Sequence, residues 1–166
     1  MRETLYLETS VISYYTGRPS RDLIVLAHQE ITWDWWPVAK EKYDMYISEV
    51  VLDEAGMGDP DAATKRLEAI RDFPQLILNE VVEKMTQVYI EELEIPEKVF
   101  RDATHIAVSS VHNMDYLVTW NCSHIANVRI RRKLENINER YGLHTPLICT
   151  PIELEGGYDF VERPDS

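Results

Sequence analysis

The sequence predicts an α/β protein, a three-layer α/β/α sandwich built on a parallel sheet of about five strands. Three observations predict it. Short apolar, β-prone runs recur along the 166 residues as TLYLE, MYIS, QLILN, YLVTW and LICT. Helical stretches with their own start signals separate these runs, so the connections are crossovers rather than hairpins. The composition, 45% hydrophobic and 28% charged with 6 Gly and 8 Pro, is that of a packed domain.

Each element follows from local signals. TLYLE (4–8) reads as a strand, and Thr9 and Ser10 are helix N-cap types placed before VISYY. After Gly17, Pro19 and Ser20, the residues Leu23, Ile24, Ala27, Ile31 and Trp35 form an amphipathic stripe expected to end or kink near Pro37. MYIS (45–48) is a second strand, and Ser48 leads into the helix EVVLDEA with Val51 and Ala55 on one face. Asp59-Pro60 opens a helix whose apolar stripe is Ala63, Leu67 and Ile70. QLILN (75–79) reads as a third strand, with Asn79 capping EVVEKMTQVYIEEL. Pro96 starts a helix carrying Val99, Ala103, Ile106, Ala107, Ser110 and Val111, a face of small and branched residues suited to tight packing on a sheet. YLVTW (116–120) is the clearest strand. Asn127 caps a helix running to Tyr141, Gly142 stops it, and LICT (147–150) closes the series. One domain over 1–154 is expected, followed by a loose tail over 155–166.

Charge and motif content then remove several function classes. Lys and Arg total 17 against 29 Asp and Glu, a net charge of −12, so the surface as a whole does not attract a polyanion. Nucleic acid would have to meet a local patch or a bridging metal ion. There is no G-x-G-x-x-G after a strand, no P-loop, no G-x-S-x-G and no H-E-x-x-H. His28, His105, His112, His124 and His144 match no common metal spacing, and satisfied helical or surface positions are the plainer expectation for them. No apolar run reaches the roughly 18 residues of a membrane helix, and MRETLYLE is too short and charged for a signal-peptide core. With Cys122 and Cys149 unpaired by spacing, a reducing cytoplasm is the expected compartment.

Carboxylates remain as the chemistry-bearing groups. In an open parallel sheet, ligands bind beyond the carboxyl ends of the strands, and those ends carry Glu8, Ser48 and Asn121. Glu8 follows an apolar strand directly, where a carboxylate is costly to place. Asp102 lies beside the small-residue face and shares a stripe with His105, Ile106 and Ser109, while Glu54 belongs to the helix after the second strand. Acids brought to one edge repel unless a hard divalent cation neutralises them, and oxygen ligation suits Mg²⁺ or Mn²⁺. Asp115 precedes the fourth strand and is expected at the opposite rim.

The segments YLETSVIS, ISEVVLDEA, RDATHIAVSS and YLVTWNCSHIAN resemble, in order and approximate spacing, the four signature segments of PIN-domain proteins, most like the VapC type of bacterial toxin ribonuclease. The resemblance covers about residues 4 to 150 and implies a parallel five-stranded α/β/α fold. It further implies Mg²⁺- or Mn²⁺-dependent cleavage of RNA to a 5′-phosphate and a 3′-hydroxyl. Carried over by position, it assigns Glu8, Glu54 and Asp102 as acidic metal ligands, Asn121 as the fourth ligand and Thr119 as a hydroxyl able to hold a metal-bound water. Two positions depart from the family pattern: Glu8 stands where Asp is usual, and Asn121 where Asp is frequent. The resemblance also implies a small antitoxin partner, and a homodimer is expected.

Alternatives stand beside these readings. Glu8 can cap the following helix, which is compatible with metal binding. Trp33, Trp35 and Trp36 fit packing or subunit contact better than base stacking, since Glu30 and Asp34 are their neighbours. Arg129, Arg131, Arg132 and Lys133 fit a solvated face paired with Glu135 and Glu139 as well as a phosphate contact, and Arg18 and Arg21 are candidates for a phosphate-binding rim. In place of a nuclease, the altered acids allow a PIN-like domain that binds RNA or protein without cleaving. A small-molecule-binding α/β protein lacks a recognisable cofactor loop.

Overall fold

The computed structural model describes residues 1–155. β1 (Thr4–Leu7) runs into α1 (Thr9–Thr16) and α2 (Leu23–Lys42), and β2 (Asp44–Ser48) into α3 (Glu49–Ala55) and α4 (Pro60–Ile70). β3 (Gln75–Leu76) precedes α5 (Glu80–Glu92), a 3₁₀ turn (Glu97–Val99) and α6 (Phe100–Val111). β4 (Tyr116–Val118), α7 (Val128–Arg140), β5 (Leu147–Cys149) and α8 (Pro151–Glu155) complete the described chain. The loose tail expected over 155–166 lies, apart from Glu155, outside the described residues.

The sheet has five strands in the order β3-β2-β1-β4-β5, every neighbouring pair parallel. Leu5, Tyr6 and Leu7 are all fully buried. Because successive strand residues face opposite sides, this run requires helices on both faces of the sheet, the three-layer arrangement the sequence predicts. From β1 the chain steps outward through β2 and β3, then returns to place β4 on the other side of β1. The β1/β4 boundary is therefore the topological switch point, where an α/β sheet opens a crevice at its carboxyl edge.

Capping fixes where several helices begin. The side chains of Asp22, Asp59, Asn79 and Asn127 each accept a hydrogen bond from a backbone N–H of the first turn, at 2.9–3.1 Å. Each such cap contributes about 1 kcal/mol. α1 is capped by Glu8 rather than by Thr9 or Ser10, the Glu8 carboxylate accepting from Ser10 N–H at 3.1 Å. α7 ends at Arg140, and Gly142, just past its end, has a φ of +68°, the left-handed conformation glycine adopts without steric cost.

The structure corrects four details. α2 continues through Pro37 to Lys42. Its buried face is Gln29, Ile31, Thr32, Trp35, Trp36 and Ala39, whereas Leu23, Ile24 and Ala27 are exposed. Gln29 fits that face because its side chain bonds both Arg18 O and Ser20 N. The third strand is only Gln75–Leu76, with Ile77 exposed and its carbonyl paired to His112 Nε2. Pro96 opens the 3₁₀ turn, and α6 starts at Phe100.

The tryptophans pack. Trp35 and Trp36 are buried, Trp36 stacks on Tyr15 at 4.1 Å, and Trp33 Nε1–H donates to Tyr15 O, joining α2 to α1. In α7, Arg131 pairs with Glu153 and Ile148 O, and Lys133 with Glu94, instead of with Glu135 and Glu139. Among the described residues, no helix is long and apolar enough to cross a membrane.

Candidate functional site

Backbone pairing at the switch point sets the base of the site. Glu8 N–H donates to Val118 O at 3.1 Å, extending the β1–β4 ladder by one residue, and Thr119 N–H donates to Cys149 O at 3.0 Å. Glu8 and Thr119 are thereby fixed side by side at the carboxyl edge. Thr119 Oγ1 donates to Glu8 Oε1 at 2.5 Å, Ser10 Oγ donates to the same oxygen, and Ser10 Oγ accepts Trp120 N–H at 2.8 Å. With its carboxylate held by two hydroxyls and a backbone N–H, Glu8 remains in place at 4% exposure.

Glu54 reaches the same edge from α3, whose C-terminal end is held by Arg66 Nε–H donating to Ala55 O at 2.9 Å. Its Oε1 accepts from Thr9 Oγ1 at 2.9 Å and from His105 Nε2 at 2.5 Å. His105 is fully buried in α6, and its Nδ1 lies 2.7 Å from the hydroxyl of fully buried Tyr6. Tyr6 in turn lies 2.7 Å from Ser48 Oγ at the end of β2. Ser48, expected to open α3, makes no side-chain cap and spends its hydroxyl on Tyr6.

The ionisation of this group is coupled. Burial disfavours charge on the Glu54 carboxyl, but the His105 hydrogen bond and charge, with Thr9 and Arg101, outweigh it and hold the group below its ordinary range. Burial likewise opposes charge on His105, yet the Glu54 hydrogen bond and the negative charges of Glu8, Glu54 and Asp102 raise the imidazole above its usual value. One ring thus feels all three acids singled out in the sequence.

Ligand-capable atoms of Glu8, Glu54 and His105 lie within 4.8 Å of one another. Asp102 stands outside this tight group. Asp102, at the N-terminal turn of α6, accepts His124 Nδ1–H through Oδ2 at 3.0 Å. Asn121 Oδ1 accepts His124 N–H at 3.1 Å, and Asn121 N–H donates to Thr119 Oγ1 at 2.9 Å. A second rank of rings adjoins the edge: His28 stacks on Trp120 at 4.1 Å, and Tyr14 lies 6.2 Å from both. Asp115 is at the opposite rim, where its carboxylate accepts Thr4 N–H at 2.8 Å.

The donor set fits a hard divalent cation. Two carboxylates meet in a partly buried crevice, and among the described residues every hydrogen bond to Glu54 falls on Oε1, which leaves Oε2 open to a further partner. The residues that sequence reasoning missed are His105 and His124, both treated there as structural. The available signal was His105 three positions after Asp102 in RDATHIAVSS, a polar ring within an otherwise small and apolar helix face.

No protein-family model matches the chain, and no curated protein matches it in sequence. In fold it is similar to a chain of a solved structure described as VapBC2 from Rickettsia felis bound to a DNA fragment from their promoter. The TM-score is 0.54 at 14% identity, and the match covers 89% of this chain and 98% of that one. At this identity the likeness is one of fold.

Proposed function

We propose that the chain is a divalent-metal-dependent ribonuclease, the toxin of a toxin-antitoxin pair, acting at the crevice between β1 and β4. The observation that carries the reading is the convergence of Glu8, Glu54 and His105 within 4.8 Å at the switch point of a parallel sheet. In this reading Glu8, Glu54, Asp102 and Asn121 hold Mg²⁺ or Mn²⁺. A cation bound there supplies Lewis-acid polarisation of the scissile phosphate and lowers the pKa of a coordinated water.

The chain's own residues prepare the site. Ser10 and Thr119 fix the orientation of Glu8, Thr9 and His105 fix Glu54, and His124 fixes Asp102. In this reading the Thr119 hydroxyl, beside Glu8 at the end of β4, helps hold a water of the metal site. RNA is reached in this reading despite a net charge of −12 because the cation held by the acids supplies a local attraction.

A second reading, a PIN-like domain that binds RNA or protein without cleaving, is favoured by one observation. The Asn121 side-chain oxygen accepts His124 N–H and carries no charge.

For partners, the structural neighbour's description names a VapBC2 complex on promoter DNA. This supports a small antitoxin here, and from the charge of the site we further propose that the partner places an Arg or Lys against Glu8, Glu54 or Asp102. A cytoplasmic homodimer is part of the same proposal.

Mn²⁺ calorimetry on the wild type and Asp102→Ala, followed by RNA cleavage with and without EDTA, tests the reading. Metal binding and EDTA-sensitive cleavage are expected in the wild type, with cleavage at least about a hundredfold slower in Asp102→Ala. Equal cleavage by both proteins overturns it. Metal binding without cleavage favours the second reading.

A further inference from the structure

Tyr6 and His105 form a polar chain through a region where Phe and Leu would pack without desolvation cost. Both side chains are fully buried, as is Ser48, and the contacts run Ser48 Oγ to Tyr6 OH at 2.7 Å, Tyr6 OH to His105 Nδ1 at 2.7 Å and His105 Nε2 to Glu54 Oε1 at 2.5 Å. Buried polar groups of this kind are costly unless every member is satisfied, and here every member is. The chain spans β2, β1, α6 and α3 and terminates on one oxygen of one carboxylate.

The geometry points to Tyr6 and His105 as positioning residues that clamp Glu54 through Oε1, so that Oε2 faces the cation while His105 itself stays off it. The inference rests on the proposed metal site and deepens it. Both nitrogens of His105 are already engaged, Nδ1 by Tyr6 and Nε2 by Glu54. Direct ligation would require it to release one of them. Thr9 donates to the same Oε1, so two donors from different helices fix the carboxylate plane, and Oε2 accepts no hydrogen bond among the described residues. A hard cation also prefers the carboxylate oxygen to the imidazole nitrogen. The arrangement transposes the familiar carboxylate–histidine–metal order: here the carboxylate touches the ion and the histidine orients it.

Two measurements on the full chain test this. The first is long-range ¹H–¹⁵N NMR of the imidazoles with Mg²⁺ alone as the probe, His105 being assigned by the signals missing in His105→Gln. A protonated, hydrogen-bonded Nε2 that persists at saturating Mg²⁺ supports the inference. Loss of that proton with a metal-bound nitrogen shift overturns it. The second is Mn²⁺ calorimetry on Tyr6→Phe, His105→Gln and His105→Leu, each checked for folding by circular dichroism. Tyr6→Phe removes only the hydroxyl and keeps the ring volume, so it is the variant least prone to misfold.

Affinity is expected to fall about 10- to 100-fold in His105→Leu, with a smaller loss in Tyr6→Phe and partial recovery in His105→Gln, whose amide still donates to Glu54. A wild type that binds Mn²⁺ alongside variants that bind it equally well overturns the positioning role alone. A wild type that binds neither ion overturns the metal reading and this inference with it.

Discussion

Glu8 Oε1 and Thr119 Oγ1 lie 2.5 Å apart and join the end of β1 to the end of β4 at the point where the strand order reverses. The hydroxyl donates to the carboxylate and at the same time accepts Asn121 N–H at 2.9 Å. Thr119 therefore links the acid to the backbone of the residue proposed as fourth ligand. Because Thr119 is fully buried, replacing it with the isosteric Val leaves Glu8 short of one donor and Asn121 N–H short of its acceptor. We expect Thr119→Val to lose about 1.5–3 kcal/mol in urea unfolding, the range for a hydrogen bond to a charged group, and Thr119→Ser to recover most of it. A Val variant as stable as the wild type would show that the contact contributes nothing to the fold.

Asn121 offers a test that adds function instead of removing it. Its side-chain oxygen accepts His124 N–H, and His124 Nδ1–H donates to Asp102, so Asn121 and Asp102 share one partner. Asn121→Asp keeps the acceptor and adds a negative charge beside the acids, which raises the attraction for a divalent cation. Tighter Mn²⁺ binding by calorimetry is expected. An unchanged affinity would mean that Asn121 faces away from the ion.

The sheet and its edge were legible in the sequence because they depend on local signals. Short apolar, β-prone runs marked β1, β2 and β4, and the carboxyl-edge positions of Glu8 and Thr119 follow from where those runs stop. What was not legible depends on tertiary partners. No periodicity tells that His105 in α6 reaches across to Glu54 in α3, fifty-one positions away in the chain. The face of α2 was misphased for a related reason: Gln29 and Thr32 are polar but buried, because Gln29 bonds Arg18 O and Ser20 N, and Thr32 accepts the Trp120 indole N–H at 2.8 Å. The QLILN run reads as a longer strand than it forms, since only Ile47 and Ser48 of β2 pair with it, at Gln75 and Leu76.

Pro37 shows packing overriding a strong local rule. It lies inside α2, lacks the N–H that would donate to the Trp33 carbonyl, and yet the helix persists to Lys42. Trp35, Trp36 and Ala39, buried on either side of it, hold the two halves against the core. Restoring the donor should therefore stabilise the protein. Pro37→Ala is expected to gain about 2 kcal/mol, an interior-proline cost of about 3 kcal/mol less about 1 kcal/mol for the greater freedom of the unfolded chain. The denaturant midpoint measures this, and a midpoint that fails to rise would mean that α2 depends on the proline for its path.

The cysteines test whether the edge carrying Thr119 stays closed. Cys122 is exposed, whereas Cys149 is buried at the end of β5, where its carbonyl accepts Thr119 N–H at 3.0 Å. Burial, reinforced by the charge of Glu153 and only partly opposed by Arg131, pushes the Cys149 thiol up to about 12. A group raised in this way is protonated throughout the range in which the native protein is handled, and alkylation proceeds through the thiolate, so burial and ionisation both protect it. Iodoacetamide at pH 8 is expected to modify the native protein once, at Cys122, and the urea-unfolded protein twice, as read by mass spectrometry of the intact chain. Two modifications of the native protein at similar rates would show that β5 separates from β4 on the timescale of the reaction, and the support that β5 gives Thr119, and through it Glu8, would be intermittent rather than fixed.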